Sequence, residues 1–147
     1  MKNRKEYETF SSAETFALGK ELGESARAGE IYCLDGDLGT GKTVFTQGFA
    51  CGLGIEEPVS SPTFTIVQEY EGGRLKLNHF DVYRIGSPEE LEEIGYEEYF
   101  YGDGVCLVEW AQQIPELIPE EAVHIVIEKD LDRGFDYRRI CIEGSDR

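Results

Sequence analysis

A chain of 147 residues, 40% of them hydrophobic and 30% charged, has the composition of one globular domain with its own core and excludes an intrinsically disordered segment. Its 14 basic against 30 acidic residues give a net charge of −16. That balance excludes a protein that grips nucleic acid by itself, because phosphate neutralisation dominates such affinity; it suits either encounter with a basic protein surface or plain solubility.

Tyr7 to Phe10 reads as a short strand. Ser11-Ser12-Ala13-Glu14 is a capping-box sequence, and Phe16, Leu18, Leu22 and Ala26 give an apolar stripe, so a helix is predicted from Ser12 to Arg27. Glu30 to Asp35 is a β-prone apolar run. It leads into Gly36-Asp37-Leu38-Gly39-Thr40-Gly41-Lys42-Thr43, which satisfies the phosphate-loop pattern G-x-x-x-x-G-K-[ST]. The glycines allow tight, left-handed backbone, successive N–H groups turn inward on phosphate oxygens, Lys42 brings charge to the β- and γ-phosphates, and the Thr43 hydroxyl suits Mg²⁺. A helix from Lys42 to Leu53 completes the strand, loop and helix context that the motif needs.

Pro58 to Pro62 predicts an ordered loop; Ser60, Ser61, Thr63 and Thr65 in and beyond it suit either a γ-phosphate-sensing switch or an ordinary Ser-Pro turn. Phe64 to Tyr70 and Leu75 to Asp81 alternate around Gly72-Gly73, a β-hairpin pattern. Ser87-Pro88-Glu89-Glu90 starts a short helix ending near Gly95. Tyr96 to Gly104 shows no clear period. Val105 to Val108 is continuously apolar, as in the middle of a parallel sheet. Ala122 to Ile127 and Tyr137 to Ile142 are predicted as a final hairpin around the charged stretch Glu128 to Asp136. The expected architecture is a single α/β domain over residues 1–147, a P-loop NTPase-like three-layer fold whose central sheet is parallel in the core and antiparallel at its margins.

A phosphate-loop ATPase needs a further acidic group near Mg²⁺ at the end of an apolar strand. Glu109, directly after Val105 to Val108, is the candidate for holding Mg²⁺ directly or through water, with a helix N-cap as its plainer role. Asp81 is the candidate for orienting the attacking water or sensing the γ-phosphate, or is a turn residue. Trp110 serves either core packing or a nucleotide or partner contact. His79 is read as a structural histidine in preference to a metal ligand, since neighbouring ligands other than carboxylates are missing. No N-K-x-D element is present, which favours ATP over GTP. Cys33, Cys51, Cys106 and Cys141 form no Cys-x-x-Cys pair and suit free thiols in a reducing compartment. No apolar run follows the basic N-terminus or reaches the roughly 20 residues of a membrane span, so a cytoplasmic location without a membrane partner is expected.

Four segments in this order and spacing, the phosphate loop, Ser61-Pro62-Thr63-Phe64-Thr65, His79-Phe80-Asp81-Val82-Tyr83-Arg84 and Val108-Glu109-Trp110, resemble the TsaE (YjeE) family over about Ser11 to Ile142. The resemblance implies a weak ATPase of bacterial tRNA threonylcarbamoyladenosine synthesis. Such a protein acts on a complex of TsaB and TsaD, the latter modifying adenosine 37 of tRNAs that read codons starting with A, so that tRNA is met only indirectly. It implies ATP and Mg²⁺ as cofactors, Lys42 and Thr43 on phosphate and metal, Glu109 on the metal, and functional importance for Asp81 and Trp110. The catalytic set expected is then Asp81, Glu109 and Lys42. The nucleotide-binding set runs from Gly36 to Thr43 with Ser11, Thr63, Trp110 and Arg133. A stand-alone small-molecule kinase and a nucleotide-dependent binding switch are the alternatives; a kinase would need a lid carrying arginines, and no arginine cluster looks like one, although Arg133 lies in the last loop.

Overall fold

The computed structural model describes residues 2–36, 40–60, 62 and 66–145. Its strands and helices, in chain order, are β1 (Lys2–Thr9), α1 (Ser12–Ser25), β2 (Ile31–Asp35), α2 (Lys42–Gly52), β3 (Val67–Tyr70), β4 (Leu77–Asp81), α3 (Glu89–Glu93), α4 (Tyr96–Phe100), β5 (Val105–Glu109), β6 (Val123–Lys129) and β7 (Arg138–Ser145). The strands form one sheet in the order β1-β7-β6-β2-β5-β4-β3. The core is parallel, with β2 between β5 and β6 and with β4 beside β5. The margins are antiparallel, β3 on β4 at one side and β6, β7 and β1 at the other.

Period-two alternation sends neighbouring residues of each central strand to opposite faces. Tyr32, Leu34, Val105, Leu107 and Leu77 pack with Phe45, Phe49 and Leu53 of α2 and its end. Ile31, Cys33, Cys106, Val108 and Phe80 pack with Leu91, Phe100 and Ile114 on the other side. Two separate apolar layers, one per sheet face, make the three-layer fold, and they explain why β5 is buried along its whole length.

Several elements differ from those the sequence predicts: β6 and β7 run on to Lys129 and Ser145, beyond the expected Ile127 and Ile142, and three further departures have clear physical causes. The first strand is Lys2–Thr9 rather than Tyr7–Phe10; it is an edge strand whose exposed charges, Arg4 and Glu6 among them, hide the alternation while blunting the edge. Helix α1 stops at Ser25, where the extended Ala26 turns its N–H back to Gly23, short of Arg27. The aperiodic stretch after Gly95 holds the short helix α4, too brief for a period to register. Within it Tyr96 and Phe100 stack edge to face at 5.2 Å.

Helices α1 and α2 meet through glycine on both sides. A Cβ on Gly19 would lie 2.4 Å from the Phe45 carbonyl oxygen and one on Gly23 2.2 Å from that of Phe49; on the facing helix, Gly48 and Gly52 would meet the Phe16 and Lys20 carbonyls at 2.1 and 2.2 Å. The obstacles are backbone atoms, which no side-chain rotation relieves. Gly48→Ala therefore destabilises despite the better helix propensity of alanine, by about 1–3 kcal/mol as overpacking costs. Thermal unfolding should show a fall of about 2–4 °C per kcal/mol for a domain of this size, and an unchanged midpoint would refute the close approach.

Burial pushes the Cys33 and Cys106 thiols up to about 12, whereas Cys51 is exposed. A thiol reagent at pH 8 should label Cys51 rapidly in the native protein and reach Cys33 and Cys106 only on unfolding; fast native labelling of either would contradict their burial.

Candidate functional site

The phosphate loop leaves β2 at Asp35 and re-enters as α2 at Lys42. Asp37, Leu38 and Gly39 lie outside the described residues. At the loop entry the backbone is tight: a Cβ on Gly36 would stand 2.8 Å from both the Ile127 carbonyl oxygen and the Thr40 hydroxyl. At the exit Gly41 is the N-cap of α2 with φ of 98°, and a Cβ there would meet nothing within 4 Å. A left-handed residue facing open space at the positive end of a helix suits the close approach of an anion. The Thr40 carbonyl accepts the Nε–H of Arg138 at 2.8 Å, which ties the loop to β7.

Lys42 opens α2, and Thr43 follows it on the exposed side. Parallel register sets Asp81 directly beside Glu109. Both stand at the carboxyl ends of adjacent strands, where ligands of such sheets bind. Glu109 is only 5% exposed. Its Oε1 lies 3.7 Å from Lys42 Nζ and its Oε2 2.7 Å from His79 Nε2. A carboxylate that far from water needs such partners, since an unpaired buried charge is costly. Asp81 Oδ1 accepts the Tyr83 N–H at 3.0 Å, so the turn role is present alongside its place in the cleft.

Directly after Glu109, Trp110 has φ of 64°, the one positive φ among the described non-glycine residues. Such backbone costs of order 1–3 kcal/mol and concentrates at functional sites. It brings the indole to 4.7 Å from Lys42 Nζ, in cation–π contact, and to 4.7 Å from the Tyr83 ring.

The cleft between these elements holds about 550 Å³ and gathers Thr40, Gly41, Lys42, Thr43, Asp81, Glu109 and Trp110 of the residues proposed from sequence. Gly36 lines the adjoining hollow with Asp35 and Trp110. Ser11 and Arg133 are placed elsewhere. Ser11 caps α1 by accepting the Glu14 N–H at 3.2 Å, while its neighbour Ser12 faces the cleft. Arg133 pairs with Glu8 at 2.7 Å and with Asp130 at 3.7 Å and is not among the cleft-lining residues. Thr63 lies outside the described residues, as do Ser61, Phe64 and Thr65 of the same loop.

Sequence reasoning missed Thr15, Asp136 and Arg138 in the cleft wall. They arrive from α1, from the turn before β7 and from β7 itself, and only the sheet order could have announced them. It also underrated His79, which stands against the Glu109 carboxylate; the signal was its place two residues before Asp81 on the same strand face.

The oxygen donors present, the Thr43 hydroxyl with the carboxylates of Glu109 and Asp81, are hard ligands of the kind Mg²⁺ takes when phosphates complete its shell. Among the described residues no group of three or more His, Cys, Asp and Glu side chains forms a metal cage. Asp35, at the end of β2, is a different case: burial raises its carboxyl above the ordinary range, partly offset by His124 and Lys42, and its Oδ1 has no hydrogen-bond partner among the described residues.

The chain matches over residues 9–140 the family model described as threonylcarbamoyl adenosine biosynthesis protein TsaE. It is 50% identical over 134 residues to the tRNA threonylcarbamoyladenosine biosynthesis protein TsaE of Bacillus subtilis (strain 168), covering 91% of this chain and 82% of that protein. It is 44% identical over 115 residues to the protein of the same name from Treponema pallidum, covering 78% of this chain and 84% of that one. The crystal structure of Bacillus subtilis YdiB superposes with a TM-score of 0.81 at 42% identity, over 99% of this chain and 88% of that one. With the cleft it builds and with these matches, the chain belongs to the TsaE family.

Proposed function

We propose that this chain is the ATP-hydrolysing subunit of tRNA threonylcarbamoyladenosine synthesis, a weak Mg²⁺-dependent ATPase that works on a TsaB–TsaD complex. The observation that carries the ATPase reading is the convergence of Lys42, Thr43, Asp81 and Glu109 on one cleft at the open end of a glycine loop. The names of the relatives carry the pathway.

Each group has a task that its position supports. The Gly41 backbone and the N-terminal end of α2 bind the phosphates, joined by the Lys42 ammonium. Thr43 and Glu109 hold Mg²⁺, which when bound supplies positive charge against the charge developing on the transferred phosphoryl group. Asp81, beside Glu109, orients the attacking water. Trp110 covers Lys42 and sheds water from it, which strengthens every charge interaction beneath. The cleft wall carries the cations Lys42 and Arg138 and the carboxylates of Asp81, Glu109 and Asp136. A bare triphosphate thus meets repulsion there, and a metal-complexed one meets less.

The acidic balance of −16 fits a subunit that docks on protein and leaves tRNA to its partners. Among the described residues no helix is long and apolar enough to cross a membrane.

Lys42→Ala should weaken ATP binding about 10–100-fold, the worth of a charge-assisted contact, as read by calorimetry; unchanged affinity would remove the phosphate-loop assignment. Glu109→Ala should lower Mg²⁺-dependent hydrolysis about 100-fold or more while reducing nucleotide binding far less. Full hydrolysis in that variant, with the same Mg²⁺ requirement, would take Glu109 out of the metal shell. The pathway assignment is tested by pull-down with purified TsaB–TsaD with and without ATP, followed by turnover on unmodified tRNA. Retention on the complex and repeated turnover only when this chain is added are expected; no retention and no effect on turnover would overturn it.

A further inference from the structure

His79 lies in β4, 1% exposed, on the sheet face that carries Leu77 and Asp81 and looks toward α2. Register pairs it with Leu107, which makes Glu109 its diagonal neighbour on β5. Its two ring nitrogens have different surroundings. Nε2 stands 2.7 Å from Glu109 Oε2, the length of a charge-assisted hydrogen bond. Nδ1 is buried with no hydrogen-bond partner among the described residues.

This asymmetry fixes which nitrogen bears the proton. A carboxylate oxygen only accepts, so the contact requires Nε2–H as donor. A proton on Nδ1 would strand an N–H in the interior, a larger penalty than a bare ring nitrogen that lacks a donor. The bond commits Oε2 of Glu109 to the sheet and turns Oε1 to the cleft, where it faces Lys42 at 3.7 Å. A glutamate side chain free to rotate would lose rotamer entropy on being ordered by a ligand. Here the ring imposes that order beforehand. The arrangement parallels the outer-shell partners that orient metal ligands and whose removal weakens metal affinity about 10–100-fold.

We propose that His79 is a positioning residue for the ATPase: through Nε2–H it holds the Glu109 carboxylate with one oxygen aimed at the metal. The proposal rests on the reading of Glu109 as a metal-binding residue. It gives the histidine a task beyond filling space, since a core residue of similar volume would not direct the carboxylate.

The test uses the full chain and ADP, with nucleotide binding followed through the fluorescence of Trp110, the single tryptophan, over a series of Mg²⁺ concentrations. His79→Gln can place an amide N–H where Nε2 stands; His79→Asn is too short to reach, and His79→Met has the reach without the donor. The Gln variant should keep the half-saturating Mg²⁺ concentration within about threefold of the parent. The Asn and Met variants should raise it about 10–100-fold, with ADP affinity in the absence of Mg²⁺ unchanged. The Gln–Met contrast is sufficient if Asn fails to fold. Equal Mg²⁺ requirements in the Gln and Met variants, or loss of metal-free ADP affinity in step with the metal effect, would overturn the proposal and leave His79 a structural residue. Glu109→Gln separates the two layers of the argument. If it shifts the Mg²⁺ requirement while the Met variant does not, the proposal alone falls; if it shifts nothing, the metal role of Glu109 falls and the proposal falls with it.

Discussion

The buried carboxylate of Glu109 joins the two halves of this site. It ends a strand whose every residue is buried, a position where an isolated charge would cost several kcal/mol. Two groups offset that cost, the Lys42 ammonium from the helix that starts at the glycine loop and the His79 ring from the neighbouring strand. The same three side chains therefore solve a folding problem and set up a chemical one. Removal of any member leaves the others with an unmet charge or an unmet proton, so the loop helix and the strands β4 and β5 are held in mutual register by a polar contact rather than by apolar packing alone.

The strained Trp110 follows from the same constraint. The strand has to stop at Glu109 for the carboxylate to reach the cleft, and the chain turns within one residue, through a left-handed conformation that an indole adopts only at a cost. The turn brings the ring over Lys42 and beside Tyr83. The aromatic cover on the cation and the end of the strand are consequences of one local geometry.

Much of this was legible in the chain itself. The glycine loop announces its fold because its spelling is dictated by backbone approach to phosphate. Val105–Val108 announces a central strand because burial on both faces leaves no polar alternation, and the two margins appear as hairpins because their apolar residues recur at a period of two. What stayed hidden has equally physical causes. Strand β1 carries its stabilising contacts in the backbone ladder to β7 and shows solvent a row of charges. Helix α4 spans five residues, less than two turns. Arg138 and Thr15 enter the cleft only through strand order and helix packing, and Ser11, which the capping box did identify, spends its hydroxyl on α1. His79 was visible as a residue, but its importance depends on a diagonal contact that no spacing along one strand reveals.

The glycine contact between α1 and α2 carries the last consequence. With backbone against backbone along two turns, neither helix can slide or tilt past the other without collision, so the pair behaves as a single slab. Ser12 and Thr15 on one helix and Lys42 to Val44 on the other thus form one unyielding wall of the cleft. The facing side is built differently: Tyr83 and Trp110 follow closely on β4 and β5, stack on each other, and hold no glycine contact of that kind among the described residues. Any adjustment of the cleft to a ligand therefore falls to that aromatic rim and not to the helical wall.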